Sequence, residues 1–167
     1  GKDNVASFEL IPWLLSQCDS VAQVKELCQN LNVTNEAFSD DFQPSPLQWL
    51  IADRNESIVL ESVASGLKVY DNPTGVLTNN PTFDKQLFNL NNYRHLSPKV
   101  SDNLFSTEIQ LDTYSRGMGG LGLPGDLSSM SRYVKVAFTK LNSVAEDTEA
   151  SSVNQFFHIL KSVEQQK

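Results

Sequence analysis

The sequence has few residues of several kinds, and each shortage excludes a class of protein. Only two cysteines, Cys18 and Cys28, occur among the 167 residues. Two cysteines are too few for a disulfide scaffold, and each lies in an apolar pattern typical of a helix, so we expect reduced, buried thiols. His95 and His158 are scattered and give no metal-site spacing with the cysteines. The sequence therefore predicts neither a disulfide scaffold nor a metal centre.

Basic residues and long apolar runs are also scarce. Lys and Arg number 13 against 20 Asp and Glu, which gives a net charge of -7. Nucleic acid is not expected as a partner, because phosphate backbones attract basic surfaces. No apolar run approaches the roughly 20 residues that cross a bilayer, and the first residues lack the features of a secretory signal. We therefore expect a soluble, cytoplasmic protein that does not bind membranes.

Apolar spacing predicts helices near both ends of the sequence. Residues at intervals of three and four predict a first helix over 7–18, where Pro12 lies near the first turn, and a second helix that begins after Ser20 as N-cap. Further helices are predicted over 83–92, from Ser128 or Ser129 onward, and around 153–163. No shift in composition divides the sequence, so residues 1–167 are expected to form a single domain.

The middle of the sequence predicts strands. Short apolar runs at 47–53, 57–63 and 67–70 alternate with turn signals, which is the pattern of an antiparallel meander. Residues 76–78 predict a further short strand that would present Asn79 at its end. Strands flanked by helices indicate the α+β class, with helices covering the sheet.

A polar stretch over 34–46 contains two isolated aromatic residues, Phe38 and Phe42. A loop of this length inside a domain is usually functional or disordered, so we expect a loop that forms a substrate lip. The alternative is that both rings simply pack into the core.

Residues 117–122 satisfy the dinucleotide pattern G-x-G-x-x-G. No continuous apolar strand precedes them, and Pro124 interrupts the helix that should follow, so the pattern does not favour a nucleotide site. These glycines are instead expected to let the backbone run close to another surface.

Two blocks of sequence carry the strongest functional signal. The first, TNNPTFD, spans residues 78–84, and the second, YSRGMGGLGLPGDLSS, spans 114–129 and is followed by Ser131-Arg132-Tyr133. The segment LFNLNNYR lies between them at 87–94. In order and separation these blocks resemble the choloylglycine hydrolases, the family of bile salt hydrolases and penicillin V acylases. The likeness covers essentially the whole sequence and matches the middle of the family's longer chain.

The resemblance gives catalytic roles to two residues. Asn79 matches the asparagine that helps hold the oxyanion formed when the nucleophile attacks the amide carbonyl, a contribution of roughly 2.7 to 4 kcal/mol in a reference enzyme. Arg132 matches the arginine whose positive charge lies near the nucleophile and favours its thiolate form. Without the resemblance, Asn79 would be interpreted as a turn residue and Arg132 as part of a solvated helix face.

The family's nucleophile is the cysteine that begins the mature chain, whereas this sequence begins with Gly1. The resemblance therefore predicts an internal fragment that lacks both ends and is inactive alone. Neither Cys18 nor Cys28 is expected to replace that nucleophile, because apolar neighbours raise a thiol pKa.

The resemblance also implies a fold and a substrate. The fold would be part of the αββα sandwich of the N-terminal nucleophile hydrolases, and the reaction would cleave the amide between a steroid acid and glycine or taurine. It implies no cofactor and a homotetramer. Two alternatives remain: an acylase of the same family acting on penicillin V or other N-acyl amides, and a noncatalytic domain for steroid binding or assembly.

Overall fold

The computed structural model describes residues 2–165. They divide into two compact units, which meet along the chain between Phe83 and Asp84. The first unit contains all five strands of the described residues, and the second contains most of the helical residues. Among the described residues, no helix has the length and apolar character needed to span a membrane.

The first unit contains two short helices near its start, as the apolar spacing predicts. In chain order its elements are β1 (Asp3–Ala6), α1 (Leu10–Leu15), α2 (Val21–Leu27), a single 3-10 turn (Cys28–Asn30), β2 (Leu31–Thr34), β3 (Gln48–Ala52), β4 (Ser57–Val63) and β5 (Gly66–Asp71). Pro12 is the third residue of α1, where its missing N–H breaks no helical hydrogen bond. The Ser20 side chain caps α2 by accepting from the backbone N–H of Gln23, which confirms that N-cap.

A parallel pair of strands, β1 and β2, was not indicated by the sequence. Asp3 pairs with Leu31 and the register continues to Ala6 and Thr34. Each strand has only four residues, and such short segments carry too little alternation to be recognised from sequence. The polar stretch that follows is a loop, as predicted.

The antiparallel meander is confirmed. β4 lies between β3 and β5, with Leu60 opposite both Trp49 and Val69. Ile58 and Leu60 point to the face covered by α1 and α2, where they form the core of this unit with Leu10, Leu14, Val21, Val24, Cys28, Leu31 and Trp49. Val59 and Glu61 alternate with them and therefore lie on the opposite face.

Asp53 joins the meander to α2. One of its carboxylate oxygens accepts from the backbone N–H groups of Asn55 and Glu56, at 2.7 and 2.9 Å, which closes the turn between β3 and β4. The other accepts from the N–H of Val21 at 2.8 Å. These backbone hydrogen bonds lower the pKa of Asp53. Asp53, which was part of the turn signal in the sequence, thus also binds the first turn of α2.

The second unit is helical apart from a long irregular segment. Its elements are α3 (Phe83–Asn89), which begins at the last residue of the first unit, a 3-10 turn (Leu90–Tyr93), a second 3-10 turn (Met118–Gly120), α4 (Ser129–Asn142) and α5 (Glu149–Lys161). Tyr133, Val134, Val136 and Ala137 form the buried face of α4. All three helices predicted in this part of the sequence are present. None of the residues of α5 is fully buried.

Candidate active site

Asn79 lies in the segment that connects β5 to α3. Its side chain is exposed, and it begins a bend over residues 79–81 in which the Asn80–Pro81 peptide bond is cis. The prediction that Asn79 follows a strand over 76–78 is wrong, because those residues have no strand structure. Asn79 is therefore presented by a loop.

Side-chain hydrogen bonds explain why this segment does not form a strand. The Asn72 Oδ1 accepts from the N–H of Gly75 and from the Thr74 hydroxyl, both at 2.9 Å. Its Nδ2 donates to the carbonyl of Val76 at 3.1 Å. Asn72, Thr74 and Val76 are all buried. These local contacts occupy the N–H of Gly75 and the carbonyl of Val76, two backbone groups that strand pairing would use. Gly75 also has a positive φ of 60°, which suits a turn.

Arg132 lies in the first turn of α4. It is half-buried, its N–H donates to the Ser128 carbonyl at 2.9 Å, and its Nε donates to the Leu127 carbonyl at 3.1 Å. The side chain therefore folds back toward the N-terminus of its helix, the direction in which helical Cα–Cβ bonds point.

Asp126 organises the N-terminus of α4, a role that the motif in the sequence did not indicate. Its Oδ1 accepts from the N–H of Ser128 at 2.9 Å, and its Oδ2 accepts from the Ser131 hydroxyl at 2.6 Å. Hydrogen bonds from Ser128 and Ser131 lower the pKa of Asp126 to about 2. Ser128 itself caps the helix by accepting from the N–H of Ser131. This network fixes the turn that carries Arg132.

The glycine-rich run is a close backbone approach, as predicted, and the dinucleotide alternative is wrong. Gly117 has a positive φ of 81°, and a Cβ on Gly119 would collide with the backbone carbonyls of Ser97 and Lys99. The Gly119 carbonyl accepts from the N–H of Ser97 at 2.9 Å. A single 3-10 turn follows Gly117, and the next α-helix starts only at Ser129, so no helix N-terminus faces a phosphate site here.

Phe38 and Phe42 are brought together on the surface. The ring centroids of Phe38 and Phe42 are 6.4 Å apart, and those of Phe8 and Phe38 are 5.2 Å apart. Each of these two pairs meets edge to face. Phe38 and Phe42 are each 68% exposed. The alternative that both rings pack into the core is therefore wrong.

The two cysteines are free thiols with raised pKa values. Burial raises the pKa of Cys28 to about 11, with a smaller effect from Cys18. Burial also raises the pKa of Cys18, with a further effect from the charge of Asp19. Both thiols are free, as predicted, but only Cys28 is buried and Cys18 is half-buried. The raised pKa values do not suit a nucleophile.

A groove of about 530 Å³ between α1, α2 and β3 is lined mainly by apolar residues, including Trp49 and Cys18. None of the four predicted site residues lines it. No cluster of His, Cys, Asp and Glu suited to a metal occurs within residues 2–165. Of the predicted site residues, Asn79, Phe38 and Phe42 belong to the first unit and Arg132 to the second.

The structure thus places Asn79 on a loop of the first unit and Arg132 at the capped start of α4 in the second unit. Comparison with known proteins specifies the class. The model of the family of linear amide C-N hydrolases, the choloylglycine hydrolases, matches residues 1–167, and the chain belongs to this family.

Three known proteins illustrate the relationship. A protein of Lactiplantibacillus plantarum named bile salt hydrolase/transferase is 66% identical over 166 residues, which is 99% of this chain and 51% of the relative. The crystal structure of a variant of the conjugated bile acid hydrolase of Clostridium perfringens is 36% identical, with a TM-score of 0.86 over 100% of this chain and 51% of that one. A penicillin V acylase from Agrobacterium tumefaciens, at 18% identity, has a TM-score of 0.68 over 99% of this chain and 44% of the acylase, and shares the fold alone.

These likenesses establish the fold. The chain is part of the αββα fold of N-terminal nucleophile hydrolases and covers about half of the bile acid hydrolase structure. It spans about half the length of the curated relatives that it matches.

Proposed function

We propose that this protein is a bile salt hydrolase, which cleaves the amide between a steroid acid and glycine or taurine. The 66% identity to the Lactiplantibacillus plantarum bile salt hydrolase/transferase over 166 residues carries the proposal. The penicillin V acylase is much more distant, at 18% identity. The same comparison favours hydrolysis over a noncatalytic role.

Asn79 and Arg132 are the catalytic residues in this proposal. A cysteine thiolate attacks the amide carbonyl, and the Asn79 side chain donates a hydrogen bond to the oxyanion that forms. The amine departs as glycine or taurine, and water then hydrolyses the acyl-enzyme. The fixed charge of Arg132 stabilises the thiolate before the attack. The exposed position of Asn79 on its bend supports this role, since a donor must reach the substrate carbonyl.

The nucleophile in this scheme is the family's N-terminal cysteine. Cys18 and Cys28 are unsuited to this role, because burial raises the pKa of Cys28 to about 11 and also raises that of Cys18, which disfavours the reactive thiolate. We therefore expect the chain alone to be inactive.

Phe38 and Phe42 form a substrate lip in this proposal. Two exposed rings in mutual contact offer an apolar edge to a steroid. No cofactor is needed for the reaction, because each step moves only protons and acyl groups.

We further propose a cytoplasmic protein of a single domain that assembles as a homo-oligomer, a tetramer by resemblance. Free thiols support a reducing compartment. The continuity of α3 across residues 83 and 84 supports a single domain. Exposed rings on α5, with Phe156 and Phe157 at 57% and 61% exposure, support association.

A chimera tests the proposed function. This chain replaces the matched 166 residues of the Lactiplantibacillus plantarum relative, whose remaining half supplies the rest of the fold. We expect the chimera to release glycine or taurine from conjugated bile salts at a rate within about tenfold of the relative, and to cleave penicillin V more slowly. Faster cleavage of penicillin V would support an acylase, whereas a folded chimera that cleaves neither substrate would contradict the proposal.

A further inference from the structure

The segment that carries Asn79 is held at its start by Asn72. The N–H of Asn72 donates to the carbonyl of Ser57, the first residue of β4, at 2.8 Å. With its side-chain bonds to Thr74, Gly75 and Val76, Asn72 fixes the first residues after β5 against the central strand.

The same segment is held at its end by a buried carboxylate. Glu61 lies in β4 and is 1% exposed. Its Oε1 accepts from the backbone N–H of Phe83 at 2.7 Å. Phe83 is the first residue of α3, so the carboxylate contacts a helix N-terminus, where a negative charge is favourable.

Tyr70 adds an apolar contact at this end. It pairs with Val59 across β4 and β5, and its ring lies 5.8 Å from that of Phe83. Phe83 is fully buried. Its backbone and its ring are thus both fixed to the face of the sheet opposite α1 and α2, four residues after Asn79.

Glu61 is an unusual residue for the central strand of a sheet. Burial of a carboxylate is costly, and an apolar residue at this position would pack without that cost. The hydrogen bond to Phe83 does not hold the three strands together, since their ladder is complete without it. What the carboxylate fixes is the path of residues 72–83.

We propose that Glu61, together with Asn72, is a positioning residue for Asn79. It acts through the backbone of Phe83 and sets where the Asn79 side chain meets the oxyanion. An oxyanion donor contributes only when it lies within hydrogen-bond distance of the developing charge, so a small shift of the segment lowers the rate. This proposal rests on the proposed function.

The test uses Glu61→Ala, Glu61→Gln and Asn72→Ala in the chimera. Glu61→Ala and Asn72→Ala are expected to lower kcat for a conjugated bile salt by roughly 10- to 100-fold, with KM within about twofold of the parent. Glu61→Gln keeps an acceptor oxygen for the Phe83 N–H and should recover most of the rate. Leu60→Ala is the matched control, because it removes buried atoms from the same strand on the opposite face. Leu60→Ala should lower the unfolding temperature and leave kcat unchanged.

Amide hydrogen exchange tests the positioning role of Glu61 independently of whether the chimera cleaves bile salts. Glu61→Ala should speed amide exchange in the peptide containing Phe83, and Leu60→Ala should not, even if the chimera cleaves no bile salt. Three results would overturn the proposal: unchanged exchange at Phe83 in Glu61→Ala, loss of kcat in Leu60→Ala equal to that in Glu61→Ala, or an effect of Glu61→Ala confined to KM. If Glu61→Ala does not fold, Asn72→Ala carries the test through kcat and through amide exchange at Gly75, whose N–H donates to the Asn72 side chain. Unchanged exchange at Gly75, or a loss of kcat no larger than in Leu60→Ala, would then overturn the proposal.

Discussion

Asn79 and Asn80 are adjacent exposed asparagines, and only Asn79 is proposed to be catalytic. The two residues have the same side chain and are both exposed, but different roles are proposed for them. In the chimera, Asn79→Ala is expected to lower kcat by roughly 100- to 1,000-fold, because one oxyanion donor is lost. KM should change little, since the donor acts mainly in the transition state.

Asn80→Ala is the matched control for that measurement. It removes the same atoms from the next residue and should keep kcat within about threefold of the parent. Equal losses in both variants would mean that the bend as a whole, and not the Asn79 side chain, supports the reaction.

The residues of the site could be predicted only in part from the sequence. Asn79 and Arg132 remain predictions made from their motifs, whereas the helix that carries Arg132 was predicted from its apolar spacing and is present as α4. Glu61 was not found, because a glutamate in a strand pattern is ordinarily on the solvent face. Glu61 is buried because residues 72–83 pass over the sheet and Phe83 contacts it. A contact between residues this far apart in the sequence cannot be predicted from a local pattern.

At the level of elements, substitutions in the loop between β2 and β3 test whether that loop forms a substrate lip. Replacing Phe38 and Phe42 together by alanine should raise KM for a conjugated bile salt about tenfold, which corresponds to about 1.4 kcal/mol of lost apolar contact. The unfolding temperature should not fall, because both rings are 68% exposed. Phe105→Ala, at a ring that is 81% exposed in the second unit, should change neither quantity. An unchanged KM in the double variant would contradict the lip.

The capped start of α4 gives a prediction about pH. The pKa of Asp126 is lowered to about 2 in the folded chain, so its carboxylate stabilises the fold above its ordinary pKa near 3.8 and that contribution is lost as pH falls toward 2. Asp126→Asn should therefore lower the unfolding temperature at pH 7, and the difference from the parent should shrink as the pH falls through 4 to 2.

Asp102→Asn is the control for that profile, since it removes an exposed carboxylate from a loop of the same unit. It should leave the unfolding temperature at pH 7 nearly unchanged. A difference between Asp126→Asn and the parent that stays constant down to pH 2 would contradict the role given to the carboxylate.

Most elements could be predicted from the sequence, and the exceptions have physical causes. The meander and the helices were predictable because their apolar periods extend over several residues. The pair β1 and β2 was missed because four-residue strands carry little alternation. Residues 76–78 form a loop, and at its first residue the Val76 carbonyl accepts from the Asn72 side chain instead of from a neighbouring strand. Side-chain bonds of this kind compete with strand pairing wherever Asn and Thr lie close together.

At the level of the whole molecule, the proposed reaction needs residues of this chain together with a nucleophilic cysteine that is neither Cys18 nor Cys28. This chain contains Asn79 and Arg132 in the described structure, and it spans about half of each relative that it matches. Its own thiols are unsuited to attack an amide at neutral pH. The charged form of Cys28 is strongly disfavoured, because burial raises its pKa to about 11.

The most direct test of this account is a hydrolysis assay with a conjugated bile salt on two samples, the 18.6 kDa chain alone and the chimera with the Lactiplantibacillus plantarum relative. Released glycine or taurine is the measured quantity. The account predicts no release by the chain alone and steady release by the chimera. Turnover by the chain alone, abolished by replacing Cys18 or Cys28, would contradict the proposed division of roles.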